Sequence, residues 1–142
     1  MHFDFKKIRP RGAFISGGFK APGPDGLQRS LNMCRKLLDS CCVGLAKGVS
    51  APMRSIQVYD FIMHMADAVL SGGIRRAATI CIFSKEDKEM LNAKTGNWYV
   101  TNPQRGRSNN SAMLLRDKLK REEWAMIMKS VKVWISIISL SI

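Results

Sequence analysis

The sequence predicts an α/β fold in which short, buried parallel strands alternate with amphipathic helices. Ala77–Phe83, AATICIF, is an unbroken apolar run between helical segments, as expected for a strand buried on both faces of a parallel sheet. A second strand is expected near Ser111–Leu115, again with helices before and after it. This alternation favours an α/β sheet or barrel, and 142 residues suffice for one domain with a moderate core.

The first predicted helix begins at Asp25, and Gln28 three residues later completes a capping-box pattern. Its apolar positions recur at helical spacing and place one thiol in the core: Leu27, Leu31, Cys34 and Leu38. Two glycines and a proline then predict a loop over Ser40–Arg54.

The second helix opens at Ser55 and has two distinct faces. Its apolar stripe is formed by Val58, Ile62, Met65, Ala66 and Val69, and its polar face by Gln57, Asp60, His64 and Asp67. We therefore expect the apolar stripe to be buried, His64 to be solvated and Asp60 to be an ordinary surface charge. Gly72 stands where a helix C′ glycine is expected.

In the second half of the chain, Ser84 and Asp87 start a helix that runs to about Lys94, and a polar loop follows. The last helix is expected from about Asp117 to Lys132, with Trp124, Ile127, Met128 and Val131 on one side. Val133–Ile142, VWISIISLSI, is uncharged and β-branched, which predicts a terminal strand at a sheet edge. A bilayer span needs about 20 apolar residues, so no membrane association is expected.

Composition narrows the class of partner. With 23 Lys and Arg against 11 Asp and Glu, the net charge of +12 favours nucleic acid or phosphate-bearing small molecules. No CxxC pair or histidine cluster is present, so no metal site is predicted; the cysteines are Cys34, Cys41, Cys42 and Cys81. Met1–Arg11 lacks the apolar core of a signal peptide, and reduced thiols in a cytoplasmic setting are expected.

Three segments combine glycine with arginine: Lys6–Pro24, Leu70–Thr79 and Asn102–Ser111. Glycine lets backbone N–H groups approach a phosphate, and arginine matches phosphate geometry. The alternative is that the glycines make turns and the arginines are solvated, since no Walker A or GxGxxG pattern is present. Asn109 and Asn110 suit base or ribose edges, or equally a turn.

Trp98 and Tyr99 can stack on a base or pack beneath their loop. No segment supplies a paired carboxylate, a Ser/His/Asp set or a cysteine beside a base. The residues alone therefore predict nucleotide binding without visible chemistry.

Three stretches resemble the adenosylcobalamin-dependent, class II ribonucleotide reductases: DFKKIRPRGAFISGGFKAPGPDGL, VYDFIMHMADAVLSGGIRRAATICIFS and GNWYVTNPQRGRSNNSAML. They follow that family's order and spacing from about Asp4 to Lys132. The resemblance implies that residues 1–132 are part of a ten-stranded α/β barrel, an incomplete one here, and that 133–142 is a non-matching tail. It also implies radical reduction of ribonucleotides to deoxyribonucleotides, with adenosylcobalamin as cofactor and a thioredoxin-type reductant.

In that family two loops connect a deoxynucleoside triphosphate effector to the base of the ribonucleotide substrate. By position, Lys6–Pro24 resembles the first loop and Leu70–Ala77 the second, and Asn102–Asn110 lies in a strand-entry segment. The nucleotide-loop residues that the resemblance implies are Arg9, Arg11, Gly17, Gly18, Lys20, Ser71, Gly72, Gly73, Ile74, Arg75, Arg76, Asn102, Gln104, Arg105, Asn109 and Asn110.

None of the four cysteines matches a catalytic cysteine of the family, whose radical-bearing and redox cysteines fall outside positions 1–142. We therefore expect an internal fragment, inactive by itself, that arises from a split gene, a truncation or a frameshift. Two alternatives remain open. One is a stand-alone basic nucleic-acid-binding module, based on the +12 charge and Arg105–Arg107. The other is a complementing half of a split enzyme.

Overall fold

The computed structural model describes residues 3–68, 70–71, 74–75, 78–115, 118–131 and 135–140. The helices there are α1 (Asp25–Cys41), α2 (Ser55–Asp67), α3 (Lys88–Leu91), α4 (Trp98–Thr101) and α5 (Arg121–Val131), with a 3-10 helix over Pro103–Arg107. The strands are β1 (Leu70–Ser71), β2 (Ile74–Arg75), β3 (Thr79–Ser84), β4 (Ser108–Leu115) and β5 (Ile135–Leu140).

The chain divides into two compact units. One comprises Met1–Pro52 with Phe61–Ala78, and the other comprises Met53–Asp60 with Thr79–Ile142. The first contains α1, the C-terminal half of α2 and the β1–β2 hairpin, and the second contains the sheet of β3, β4 and β5. The division of the sequence into 1–132 and 133–142 rests on the family resemblance and stays a prediction.

The sheet of the second unit is parallel, with strand order β3-β4-β5. Thr79 pairs with Ser108, and Asn110 pairs with Ile135. This confirms the α/β class and both predicted strands, although the described strands form an open sheet and no barrel. The second strand begins earlier than expected, so Asn109 and Asn110 lie in β4 and not in a turn.

The expected terminal strand is confirmed. β5 lies parallel to β4 over six residues, and its partners run from Asn110 to Leu115. It therefore covers a β4 edge that would otherwise present unpaired backbone N–H and C=O groups.

Among the described residues, the two faces of β3 in the β3–β4 pair are covered unequally. On the covered face Phe83, Ala112 and Leu114 are at most 7% exposed. On the other face Ile80 is 57% exposed and Ile82 is 54% exposed. The expectation that β3 is buried on both faces is therefore wrong: exposure alternates along the strand, as in a sheet packed on one side.

Helix α1 begins differently from the capping-box prediction. Pro24 occupies the N-cap position without a side-chain cap bond, and Asp25 is the first helical residue. Because Asp25 lies in the first turn, its carboxylate still interacts favourably with the positive end of the helix dipole. The assignment of Cys34 to the core is confirmed, since it is 4% exposed, and burial raises the pKa of its thiol. The expected loop follows Cys41.

Helix α2 turns the opposite face inward from the one that its apolar stripe predicts. Val58, Ile62 and Met65 are 40–48% exposed, whereas Asp60 and His64 are 6% and 7% exposed. The predictions of a solvated His64 and a surface Asp60 are wrong. In the second unit, Asp60 faces inward because it forms a buried ion pair with an arginine of the segment before β4.

The later helices are shorter than expected. Asp87 caps α3 by accepting a hydrogen bond from Met90 N at 2.9 Å, but α3 ends at Leu91. A short helix, α4, occupies part of the expected polar loop, and α5 begins at Arg121. In α5 the core contact is Ile127, which is fully buried. No helix of the described residues is long and apolar enough to cross a membrane.

A salt bridge ties the end of β3 to the start of α5. Lys85 Nζ donates to both carboxylate oxygens of Glu123 at 2.8 Å, and Lys120 N donates to the same carboxylate. The Lys85 hydrogen bond, helped by the Lys120 N–H, lowers the pKa of Glu123 below 4.5. This contribution to stability is therefore present above pH 4.5 and is lost as the pH falls through the lowered value.

We expect Lys85→Ala to raise the pKa of Glu123, because its strongest hydrogen bond is removed. The measurement is an NMR titration of the Glu123 side-chain carboxyl. Lys88→Ala, which removes an exposed lysine from the same unit, is the matched control and should leave the midpoint in place. An equal midpoint in the wild type and Lys85→Ala would contradict the ion pair.

Candidate functional site

The second unit holds a buried polar cluster between the start of α2 and the segment that enters β4. We call it the Tyr59 cluster, and its members are Tyr59, Asp60, Gln104, Arg105, Ser108 and Asn110. Five of these residues are at most 6% exposed, and the Arg105 side chain is 13% exposed. Polar groups buried at this depth usually have hydrogen-bond partners.

The Tyr59 hydroxyl is the centre of the cluster. It lies 2.8 Å from Ser108 Oγ and donates toward Asn110 Oδ1 at 2.9 Å and the Arg105 carbonyl at 3.2 Å. Ser108 Oγ also donates to Asn110 Oδ1 at 2.9 Å, which closes a triangle of three polar atoms. Burial raises the pKa of Tyr59, although the hydrogen bonds to Ser108 and Asn110 act in the opposite direction. The phenol therefore stays protonated and holds the first residues of β4.

Asp60 and Arg105 form a bidentate ion pair. Arg105 Nε and Nη2 donate to the two carboxylate oxygens of Asp60 at 2.7 and 2.6 Å, and Arg105 Nη1 donates to the Ala93 carbonyl at 2.7 Å. Gln104 Nε2 adds a third donor to Asp60, at 3.1 Å. This guanidinium fixes the segment before β4 to α2 and is engaged by protein acceptors.

A second set of contacts lies next to the Tyr59 cluster on the same face of the sheet. Cys81 is the register partner of Asn110, and burial raises the pKa of its thiol, as does Asp87, while Lys94 lowers it. Lys94 Nζ donates to the Ser108 carbonyl and lies 5.7 Å from the centre of the Trp98 ring. Trp98 therefore packs beside its loop, which was one of its two expected roles.

Asn110 has one buried atom without a partner. Its Nδ2 has no hydrogen-bond partner among the described residues, while its Oδ1 accepts from both Tyr59 and Ser108. Its neighbour Asn109 is exposed on the strand. Asn102 is half-buried and contacts Thr101 and Gln104. The asparagines therefore serve the entry to β4, and their role toward a nucleotide stays a prediction.

The first glycine- and arginine-rich segment forms a hairpin in the other unit. Ala21 N donates to the Ala13 carbonyl at 2.7 Å, and Ile15 N donates to the Phe19 carbonyl at 2.9 Å. The turn between them needs glycine, since Gly17 and Gly18 have φ values of 85° and 77°. We call residues 13–21 the basic hairpin. Arg9, Arg11 and Lys20 are exposed in and before it.

The second segment also forms a hairpin. β1 and β2 pair antiparallel, with Leu70 opposite Arg75 and Ser71 opposite Ile74. Gly72, Gly73 and Arg76 lie outside the described residues. This hairpin precedes β3, and Asn102–Arg107 precedes β4, so both segments lead into the amino ends of the strands.

Sequence reasoning missed the centre of the Tyr59 cluster. The sequence pattern predicts no role for Tyr59, and it predicts that Asp60 is a surface charge. The available signal was the adjacent Tyr-Asp pair in a helix, followed 45 residues later by an arginine that donates to Asp60. Among the described residues no group of three or more His, Cys, Asp or Glu side chains can hold a metal ion.

Comparison with known proteins gives one partial likeness. No family model matches the chain, and no solved structure matches it. A protein of Dictyostelium discoideum described as a probable adenosylcobalamin-dependent ribonucleoside-triphosphate reductase is 31% identical over 114 residues. The match covers 77% of this chain and 14% of that protein. The chain is therefore similar to a small part of a ribonucleotide reductase.

Proposed function

We propose that this chain is a piece of a class II ribonucleotide reductase that carries the nucleotide-specificity loops of the catalytic barrel. The observation that carries the proposal is the 31% identity to the Dictyostelium reductase over 114 residues. The order of the three glycine- and arginine-rich segments supports it. The whole enzyme would reduce ribonucleotides to deoxyribonucleotides for DNA synthesis, in the cytoplasm.

The open sheet supports a fragment of a larger β structure. A parallel sheet normally has both faces covered, yet Ile80 and Ile82 are each more than half exposed. An element that covered these two side chains would be stabilised by about 25 cal/mol for each Å² of apolar surface that it buries. A complete barrel would supply that cover. For the same reason a complementing half of a split enzyme is our second candidate.

In this proposal the first two loops contact the nucleotides, and the Tyr59 cluster holds the third segment in position. Gly17 and Gly18 give the first loop a backbone that a side chain would strain, and the exposed arginines and lysine before and after them suit phosphates. Ser71, Gly72, Gly73, Ile74, Arg75 and Arg76 form the second loop. The Asp60–Arg105 pair holds the third segment, with Asn102, Gln104, Asn109 and Asn110, at a fixed position.

Chemistry needs other parts of the enzyme. Adenosylcobalamin, when bound, supplies the radical, and a thioredoxin-type reductant supplies electrons. The resemblance implies that the radical-bearing and redox cysteines of the family fall outside positions 1–142, and it assigns no residue of this chain to cobalamin. The chain is therefore expected to be inactive alone.

A chimera tests the proposal. The 114-residue stretch of the Dictyostelium reductase that matches this chain is replaced by the corresponding stretch of this chain. We expect the chimera to reduce ribonucleotides when adenosylcobalamin and reductant are added. An insert of the same length with shuffled sequence is the control. A folded, cobalamin-binding chimera without reductase activity would contradict the proposal.

The same chimera tests the second loop. We expect Arg75→Ala and Arg76→Ala to change the ratio of kcat/KM between substrates under each deoxynucleoside triphosphate effector. Stability should stay within about 0.5 kcal/mol, the usual range for substitutions away from packing, capping and ion-pair features. Lys36→Ala, at an exposed position on α1, is the matched control. If both arginine variants lost several kcal/mol with specificity unchanged, the loop assignment would be wrong.

A further inference from the structure

The basic hairpin has an exposed aromatic ring beside two cations. Phe14 is 76% exposed, and it pairs with Lys20 in an antiparallel bridge, so the two side chains lie on the same face of the hairpin. Arg9 Nη1 donates to the Phe14 carbonyl at 3.2 Å, which brings a guanidinium to the same residue. This bond uses one of the five guanidinium N–H groups.

The hairpin is held in shape before any ligand arrives. Backbone bonds join Gly12 to Ala21, Ala21 to Ala13 and Ile15 to Phe19 at 2.7–2.9 Å. Gly23, with φ 79°, closes the base: a Cβ there would lie 2.9 Å from Arg11 Cβ. The ring of Phe14 is therefore presented on a rigid backbone, which limits the entropy lost on binding.

The segment that contains Phe14 is mostly basic. Among residues 3–20, five are Lys or Arg and one is acidic: Lys6, Lys7, Arg9, Arg11 and Lys20 against Asp4. All five cations are exposed and spread along the chain, and Phe14 is exposed as well. A mononucleotide site usually encloses most of its ligand. An open, basic surface with an exposed ring instead suits a flexible polyanion with accessible bases.

We infer that the basic hairpin binds single-stranded nucleic acid, with one base stacked on Phe14 and backbone phosphates on Lys20, Arg9 and neighbouring cations. Stacking accepts any base, so binding is sequence-tolerant. The inference goes beyond the proposed function: it concerns this chain without the rest of a reductase, whereas the proposed effector site needs the complete barrel around the same hairpin. The inferred site differs from that of the nucleic-acid alternative in the sequence analysis, which relied on Arg105. The guanidinium of Arg105 is held by Asp60.

The test uses the full chain, tethered to a sensor surface so that self-association is suppressed, and a 15-nucleotide oligothymidylate. We expect Phe14→Ala to weaken binding about five- to hundredfold, since base–aromatic stacking is lost. Phe14→Tyr should retain the wild-type affinity. Val43→Ala, which truncates an 81% exposed apolar side chain of the same unit, is the matched control and should bind normally.

Salt dependence and competitors give independent readouts. Lys20→Ala should lower the slope of log affinity against log salt by about 0.7, the value for one phosphate contact on a single strand. Lys36→Ala should leave it unchanged. The inference is overturned if Phe14→Ala binds like Val43→Ala or if a duplex of equal length binds as tightly. It is also overturned if the oligomer does not bind, or if thymidine triphosphate at equal nucleotide concentration competes as well as the oligomer. Failure of the chimera alone would contradict only the proposed function.

Discussion

Asp60→Asn is expected to lower the free energy of unfolding by about 3–5 kcal/mol, because it leaves the Arg105 charge without its carboxylate in a buried site. The arginine side chain is 13% exposed and the aspartate 9% exposed. Water therefore screens the remaining charge poorly. Urea denaturation followed by circular dichroism measures the change.

Asp39→Ala is the matched control for this variant. Asp39 pairs with Arg35 at 4.0 Å, but the two side chains are 74% and 65% exposed. Such a surface pair contributes at most about 1 kcal/mol. Replacing both buried partners, as in Asp60→Leu with Arg105→Met, should recover most of the loss because no unpaired charge remains. Equal destabilisation by Asp60→Asn and Asp39→Ala would show that the Asp60–Arg105 pair is not a buried tie.

Tyr59→Phe is expected to cost about 1–3 kcal/mol, since it removes one hydroxyl and leaves buried polar groups on Ser108 and Asn110 with fewer partners. Urea denaturation again measures it. Tyr99→Phe is the control, because Tyr99 is 62% exposed. An equal effect of the two substitutions would exclude a structural role for the Tyr59 hydroxyl.

The Tyr59 hydroxyl also predicts a pH dependence. Because its pKa is raised in the folded chain, its contribution to stability is complete below pH 10 and is lost as the pH rises through the folded value. Tyr59→Phe removes this titration. The loss of stability between pH 10 and higher pH should therefore be smaller in the variant than in the wild type. A loss of the same size in both would mean that Tyr59 is not the group responsible.

The strands were predictable from the sequence because apolar runs between helices have few alternatives. β3 and β5 lie where AATICIF and VWISIISLSI predict them, and residues 77, 133–134 and 141–142 of these runs are outside the described part. The inward face of α2 was not predictable. Hydrophobic periodicity weighs apolar side chains, and it cannot detect that Asp60 has a buried arginine partner far along the chain.

In the candidate site, too, local backbone features were predictable and tertiary contacts were not. The turn of the basic hairpin was predictable from its two glycines, because glycine is the residue that most readily adopts positive φ values. The assignment of Arg105 to a nucleotide loop stays a prediction, and its contact with Asp60 depends on the tertiary structure. Sequence spacing identifies residues with strong chemistry, whereas only the fold decides whether protein atoms already satisfy them.

The pairing of β5 with β4 bears on how this chain tolerates change over generations. Strand pairing uses backbone groups that every residue except proline carries, so the edge of β4 accepts many different tails. A segment such as residues 135–140 is then free to drift in sequence as long as it stays extended and apolar. A chain that acquires a new C-terminal segment by rearrangement can in this way complete an existing sheet without inheriting the original strand.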